Sequence, residues 1–120
     1  MNRRTRSEEQ TAARSNDPAV LILTSLAAGE KHGYALMQDI EEFAGTRLGP
    51  GTLYGAIARL EQRGLIEPAG PAGRRRPYRL TASGTQALRA TLNQLTTIVD
   101  TATARLARRT RTVAPRGGAA

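Results

Sequence analysis

Between Ala82 and Arg109 the chain carries Leu88, Leu92, Leu95, Val99, Ala102 and Leu106, at spacings of 4, 3, 4, 3 and 4 residues. That alternation is the heptad seam of a helix packed lengthwise against another helix. At ~1.5 Å per residue the segment is a rod roughly 40 Å long. A chain of 120 residues forms one domain with or without tails, and a domain that small cannot bury such a seam by itself. The seam therefore asks for a partner helix, most simply its own copy in a homodimer, with these six residues at the interface. The competing arrangement is one long helix packed across its own domain.

Upstream of the seam, glycine and proline divide the chain into short elements. Asn16-Asp17-Pro18 is a helix start, with a capping Asn or Asp and then Pro in the first turn. A mostly apolar helix over Ala19–Ala28 follows and ends at Gly29. The spacing predicts a second helix over Gly33–Ala44, with Leu36, Ile40 and Phe43 on one stripe and Tyr34 reading as core beside it. Leu48-Gly49-Pro50-Gly51-Thr52-Leu53 is the sharpest boundary. Gly49 falls at the N-cap, Pro50 at the first helical position, and Leu48 and Leu53 at the two positions of a hydrophobic staple. The third helix runs to about Arg63, with Leu53, Ile57 and Leu60 on one face. Its other face is small and polar: Gly51, Gly55, Ala58 and Gln62, flanked by Thr52 and Arg59.

Two short strands come next, Leu65–Pro68 and Pro77–Thr81, joined by a turn-rich loop that ends in Arg74, Arg75 and Arg76. Thr81 or Ser83 then caps the last helix. Residues 1–15 read as a flexible basic arm, 16–81 as one DNA-binding domain, 82–110 as the dimerisation helix and 111–120 as a disordered tail. The fold class is mainly α with a small β-hairpin. Three helices and a hairpin in this order make a winged helix-turn-helix, whose third helix enters the major groove.

The charge balance agrees. There are 18 Lys+Arg against 10 Asp+Glu, a net charge of +8, and Lys31 is the one lysine. Guanidinium groups fork phosphate and read guanine edges. A high-GC genome would also enrich arginine. Other chemistries are excluded by composition. The chain has no Cys, and its one histidine is His32, so neither a thiol site nor a histidine-cluster metal site can form in one chain. No cofactor is expected. His32 reads as a capping or packing residue at the start of the second helix. No apolar run reaches the roughly 18 residues of a membrane span, and the charged N-terminus lacks the apolar stretch of a secretory signal. A cytoplasmic protein is expected.

Three stretches resemble the PadR-type transcriptional regulators: LAAGEKHGYAL (26–36), LGPGTLYGAIARLEQRGLI (48–66) and RPYRLTASG (76–84). The short C-terminal region resembles the compact subgroup with a single dimerising helix. Gly49 stands where a serine is common in the family, and Gly55 where a proline is common. The resemblance implies a dimeric, repressor-like regulator that binds a palindromic operator in double-stranded DNA, of a kind that often responds to a small-molecule effector. Carried over by position, Thr52, Tyr54 and Arg59 would face DNA, with Arg74, Arg75 and Arg76 on phosphate. Tyr54 lies on the flank of its helix, where a phenol reaches a phosphate or packs against the wing.

An effector stacked between aromatics is poorly supported, because the chain has no Trp, three Tyr and one Phe. Two other classes compete with the regulator. A nucleoid-type protein would bind nucleic acid by charge alone, and an interaction module would use the winged helix on protein. The first needs neither a small-faced third helix nor a symmetric dimer, and the second needs no basic wing. An enzyme is not expected, because no nucleophile–base or carboxylate pair falls on one site.

Overall fold

The computed structural model describes residues 17–71, 73 and 75–119, with side chains up to residue 110. The basic arm expected at 1–15 lies outside the described residues. The chain forms two compact units, one ending at Arg89 and the other beginning at Ala90. The first holds α1 (Pro18–Leu26), α2 (Gly33–Ala44), α3 (Pro50–Gln62), β1 (Ile66–Pro68) and β2 (Tyr78–Leu80), and it contains the start of α4 (Ala82–Ala119). The order and character of these elements are those of a winged helix-turn-helix followed by a long C-terminal helix.

Each start has a local cause. The Asp17 carboxylate accepts from the Ala19 N–H at 2.9 Å, and Pro18 occupies the first turn of α1. His32 Nδ1 accepts from the Ala35 N–H at 3.4 Å and so caps α2. Gly49 caps α3 without a side-chain bond. The staple beside it does the work instead: Leu48 and Leu53 are both buried. Helix α1 stops at Leu26, two residues short of the expected end, because Ala27 and Ala28 form a closing turn.

The core is built from one stripe per helix. Leu21, Ile22, Leu23 and Leu26 come from α1, Leu36 and Ile40 from α2, and Leu53, Ala56, Ile57 and Leu60 from α3. Leu65, Ile66 and Leu88 close it from the wing and α4. Phe43 and Tyr34, expected in the core, are 47% and 59% exposed. Tyr34 lies two residues from Leu36, nearly opposite it around the helix. Phe43 continues the Leu36–Ile40 stripe, but it falls in the last turn of α2, beyond the buried stretch.

The strands pair antiparallel, with Ile66 opposite Leu80, Glu67 opposite Arg79 and Pro68 opposite Tyr78. A third piece of sheet was not legible in the sequence: Lys31 bridges Tyr78 in antiparallel fashion. Thr81 then ends β2 and caps α4, accepting the Gly84 N–H on its hydroxyl at 3.0 Å.

Two expectations for α4 need correction. Leu88 is not part of an open seam: it is buried in the core of the first unit. The helix also continues to Ala119, through residues 111–119 that were expected to be a disordered tail. Arg111–Ala114 holds no helix-stopping residue, and Pro115 does not end the helix. In the second unit Leu92, Ile98, Val99, Ala102 and Leu106 are exposed and Leu95 is half-buried. Ile98 was missed because it falls outside the 4-3 spacing. It widens the apolar stripe and helps line a shallow groove of about 530 Å³ with Thr97, Thr101, Ala102, Arg105 and Leu106. No helix among the described residues is long and apolar enough to cross a membrane.

Gly84 sits where α4 passes the Leu65 carbonyl, and a Cβ there would collide with that oxygen. Gly84→Ala is expected to cost about 1–3 kcal/mol, the usual range for overpacking. Urea unfolding measures it, and a loss below about 0.5 kcal/mol, the scale of an ordinary surface change, would show that the junction yields.

Candidate nucleic-acid interface

Helix α3 is buried on one side and bare on the other. With Leu53, Ala56, Ile57 and Leu60 turned inward, Gly51, Thr52, Tyr54, Ala58, Arg59 and Gln62 are left exposed and Gly55 half-exposed. The side chains in the middle of this outer face are small, so the helix backbone can come close to a surface laid against it. Nothing stands within 4 Å of where a Cβ would be at Gly49 or Gly51. Arg59 leans back toward the N-terminus of its helix, the usual direction for a long helical side chain. Its Nη1 lies 3.6 Å from the Cβ position of Gly55. The absent side chain at Gly55 leaves that path open.

Tyr54 is 48% exposed, and the outer end of its ring covers Gly33 at the start of α2. A Cβ on Gly33 would meet the Tyr54 hydroxyl and ring carbons. Of the two places the sequence allowed for this phenol, phosphate or wing, neither describes what it touches within the chain. It packs on α2.

The cations around this face fall into two groups. Arg59 and Arg75 are exposed, and among the described residues they have no acidic partner. Arg47, just before α3, and Arg63, at its C-cap, are in the same condition, and sequence reasoning passed over both. The signal was present: each flanks the helix boundary that the glycines marked. Arg76 is half-buried, and its Nε is buried without a hydrogen-bond partner among the described residues. Arg74 lies outside the described residues.

Arg79 belongs to the second group. Its Nε donates to Glu67 Oε2 at 2.9 Å across the hairpin, and Nη1 stands 3.7 Å from Glu30 Oε2. The hydrogen bond and charge of Glu67, then the charge of Glu30, raise its pKa above an already high ordinary value. Arg79 is thus permanently charged but locally neutralised, and around this face Arg47, Arg59, Arg63 and Arg75 carry the positive charge that has no acidic partner among the described residues.

A family model described as "Transcriptional regulator PadR-like family" matches residues 22–90. The chain is 51% identical over 75 residues to an uncharacterized 37.1 kDa protein in transposon TN4556 of Streptomyces fradiae, which covers 62% of this chain and 22% of that protein. The chain therefore spans about a fifth of the length of that curated relative. Among solved structures it is similar to a PadR family transcription regulator from hypervirulent Clostridium difficile R20291. The TM-score is 0.64 at 27% identity, covering 70% of this chain and 92% of that one. A transcriptional regulator from Clostridium thermocellum gives 0.66 at 26%, covering 75% and 90%. RosR of H. salinarum gives 0.59 at 28%, covering 68% and 76%.

The Tyr54–Gly33 contact is testable by a double-mutant cycle. Gly33→Ala should destabilise the protein by about 1–3 kcal/mol when Tyr54 is present and by clearly less in a Tyr54→Ala background. Equal losses in denaturant melts of the two pairs would show that Tyr54 moves aside freely.

Proposed function

This chain belongs to the PadR-like family of transcriptional regulators, and on that premise we propose that it represses transcription as a homodimer on a palindromic operator in double-stranded DNA. The family is one of transcription regulators and not of enzymes. The observation that carries the proposal is the bare outer face of α3, with Thr52, Tyr54 and Arg59 exposed beside arginines that have no acidic partner among the described residues. A helix of this kind fits the major groove. Small residues at Gly51, Gly55 and Ala58 let it sit deep, and the exposed Arg59 is our candidate for reading a guanine.

The wing arginines Arg74, Arg75 and Arg76 take phosphate. A phosphate oxygen at the wing would also supply the partner that Arg76 Nε lacks among the described residues. The dimer forms through α4, by Leu92, Leu95, Val99, Ala102 and Leu106, with Ile98 added to the stripe. Leu88, used up in the core, contributes no contact there. Two copies related by a twofold axis present two copies of α3 and so ask for two half-sites. Relief by a small molecule is a further part of this proposal, and its one support is the family resemblance. Tyr34, Phe43, Tyr54 and Tyr78 all precede the second unit, so an effector at the α4 interface would have no aromatic side chain from that helix to stack on. Such a regulator works beside the chromosome, in the cytoplasm.

Two experiments test the reading. An operator is first selected from random duplexes with the purified protein. Arg59→Ala should then lose about 1–3 kcal/mol of affinity on that operator and much less on mixed-sequence DNA. Equal losses on both would make Arg59 a phosphate clamp and favour binding by charge alone. Leu95→Glu and Val99→Glu should each dissociate the dimer, since burying an unpaired carboxylate costs several kcal/mol. Sedimentation that still finds a dimer for both variants would remove α4 as the interface.

A further inference from the structure

Lys31 is the chain's one lysine, and it does not behave as a surface cation. Its side chain is 19% exposed. Nζ donates to the Ser25 carbonyl at 2.6 Å, in the last turn of α1, where the same carbonyl also accepts from the Ala28 N–H at 3.2 Å. The same ammonium stands 4.0 Å from Asp39 Oδ2 on α2. Asp39 in turn accepts at 2.6 Å from the hydroxyl of Ser25, a residue that is fully buried. One side chain thereby joins α1 to α2.

The backbone of Lys31 joins both helices to the wing. Its N–H donates to the Tyr78 carbonyl at 3.2 Å, and the Tyr78 N–H donates back at 2.9 Å. Next to it, Glu30 reaches Arg79, the residue after Tyr78, at 3.7 Å. The β1–β2 hairpin has only three residue pairs of its own, and a hairpin that short is marginal without further support. Arg76 is separated from Tyr78 by Pro77 alone and Arg75 by one residue more, so holding Tyr78 limits where these two wing arginines can reach.

We propose that Lys31 is a positioning residue for DNA binding: its ammonium is engaged within the protein, and it sets the electrostatic part of the affinity by fixing where the wing arginines land. The inference rests on the proposed contact of those arginines with phosphate. It distinguishes Lys31 from a cation that touches DNA itself, because Lys31 should matter only while the wing is there to be positioned.

Four proteins test it: the native chain, Lys31→Met, the wing variant R74A/R75A/R76A, and the two combined. Lys31→Met keeps the aliphatic stem and removes the ammonium. Binding of a fluorescein-labelled mixed-sequence duplex is titrated over a range of salt, where log K falls by ~0.9 per neutralised phosphate for each unit of log[salt]. The wing variant should flatten that slope. Lys31→Met should flatten it by about 1 to 2 and weaken binding several-fold, and the combined variant should match the wing variant alone. Hydrogen exchange at the Tyr78 amide should quicken at least about tenfold in Lys31→Met, while the Leu36 and Leu53 amides stay protected.

A Lys31→Met loss as large without the wing arginines as with them would overturn the inference and leave the wing contact standing. So would an unchanged slope and unchanged Tyr78 exchange in Lys31→Met. An unchanged slope in the wing variant would overturn the wing contact, and this inference with it. If Lys31→Met does not fold, Asp39→Asn weakens the hold on the same ammonium, and the same dependence on the wing is expected at smaller size. Its absence there would equally overturn the inference.

Discussion

The burial of one face of α3 is the constraint on which the rest of the structure depends. Leu53, Ala56, Ile57 and Leu60 are each 2% exposed or less. A stripe with that spacing admits a single rotational setting of the helix. Once it is set, Thr52, Tyr54, Ala58 and Arg59 have nowhere to point but outward. Turning the helix so that Arg59 took the place of Leu60, which is 1% exposed, would bury a charge with no partner, at a cost of several kcal/mol. The outer surface of α3 is a by-product of how its inner surface packs.

A second constraint sits where α3 leaves the core. The Thr81 hydroxyl donates to the Gly64 carbonyl at 2.6 Å, and the Thr81 N–H donates to the Leu65 carbonyl at 3.1 Å. One threonine therefore ties the exit of α3, the return strand of the wing and the first turn of α4 together. Gly84 completes this joint, because its missing side chain lets α4 approach the Leu65 backbone. Helix α3, the wing and the base of the long helix are fixed to each other by these local bonds as well as by the core they share.

Much of this was written in the sequence, and the reasons for the exceptions are physical. The Gly49-Pro50 start and the Leu48–Leu53 staple involve neighbours along the chain, so residue type alone reveals them. The α2 helix was equally legible, but its burial was not. Phe43 shows that a stripe states which residues share a side, without stating how far along the helix the core extends. Leu88 carries the same lesson: a heptad does not say which partner each of its members meets. The Lys31–Tyr78 bridge is a single pair with no period to detect. Which arginines are neutralised was also hidden, since the Arg79–Glu67 pair depends on strand register. The continuation of α4 past Pro115 contradicts the usual effect of proline within a helix, and nothing in the structure explains it.

That bridge also bears on the order in which the molecule assembles. Lys31 and Tyr78 stand on opposite sides of the whole stretch that forms α2 and α3, so pairing them closes a long loop of chain. The helices form from near neighbours, and such contacts come early in folding. The edge of β2 finds its place only after they have packed. The same ranking applies in reverse to spontaneous openings of the folded state, which start where few contacts hold a segment. The pairing of β2 with Lys31 is therefore expected to form after α2 and α3 have packed and to open before they do.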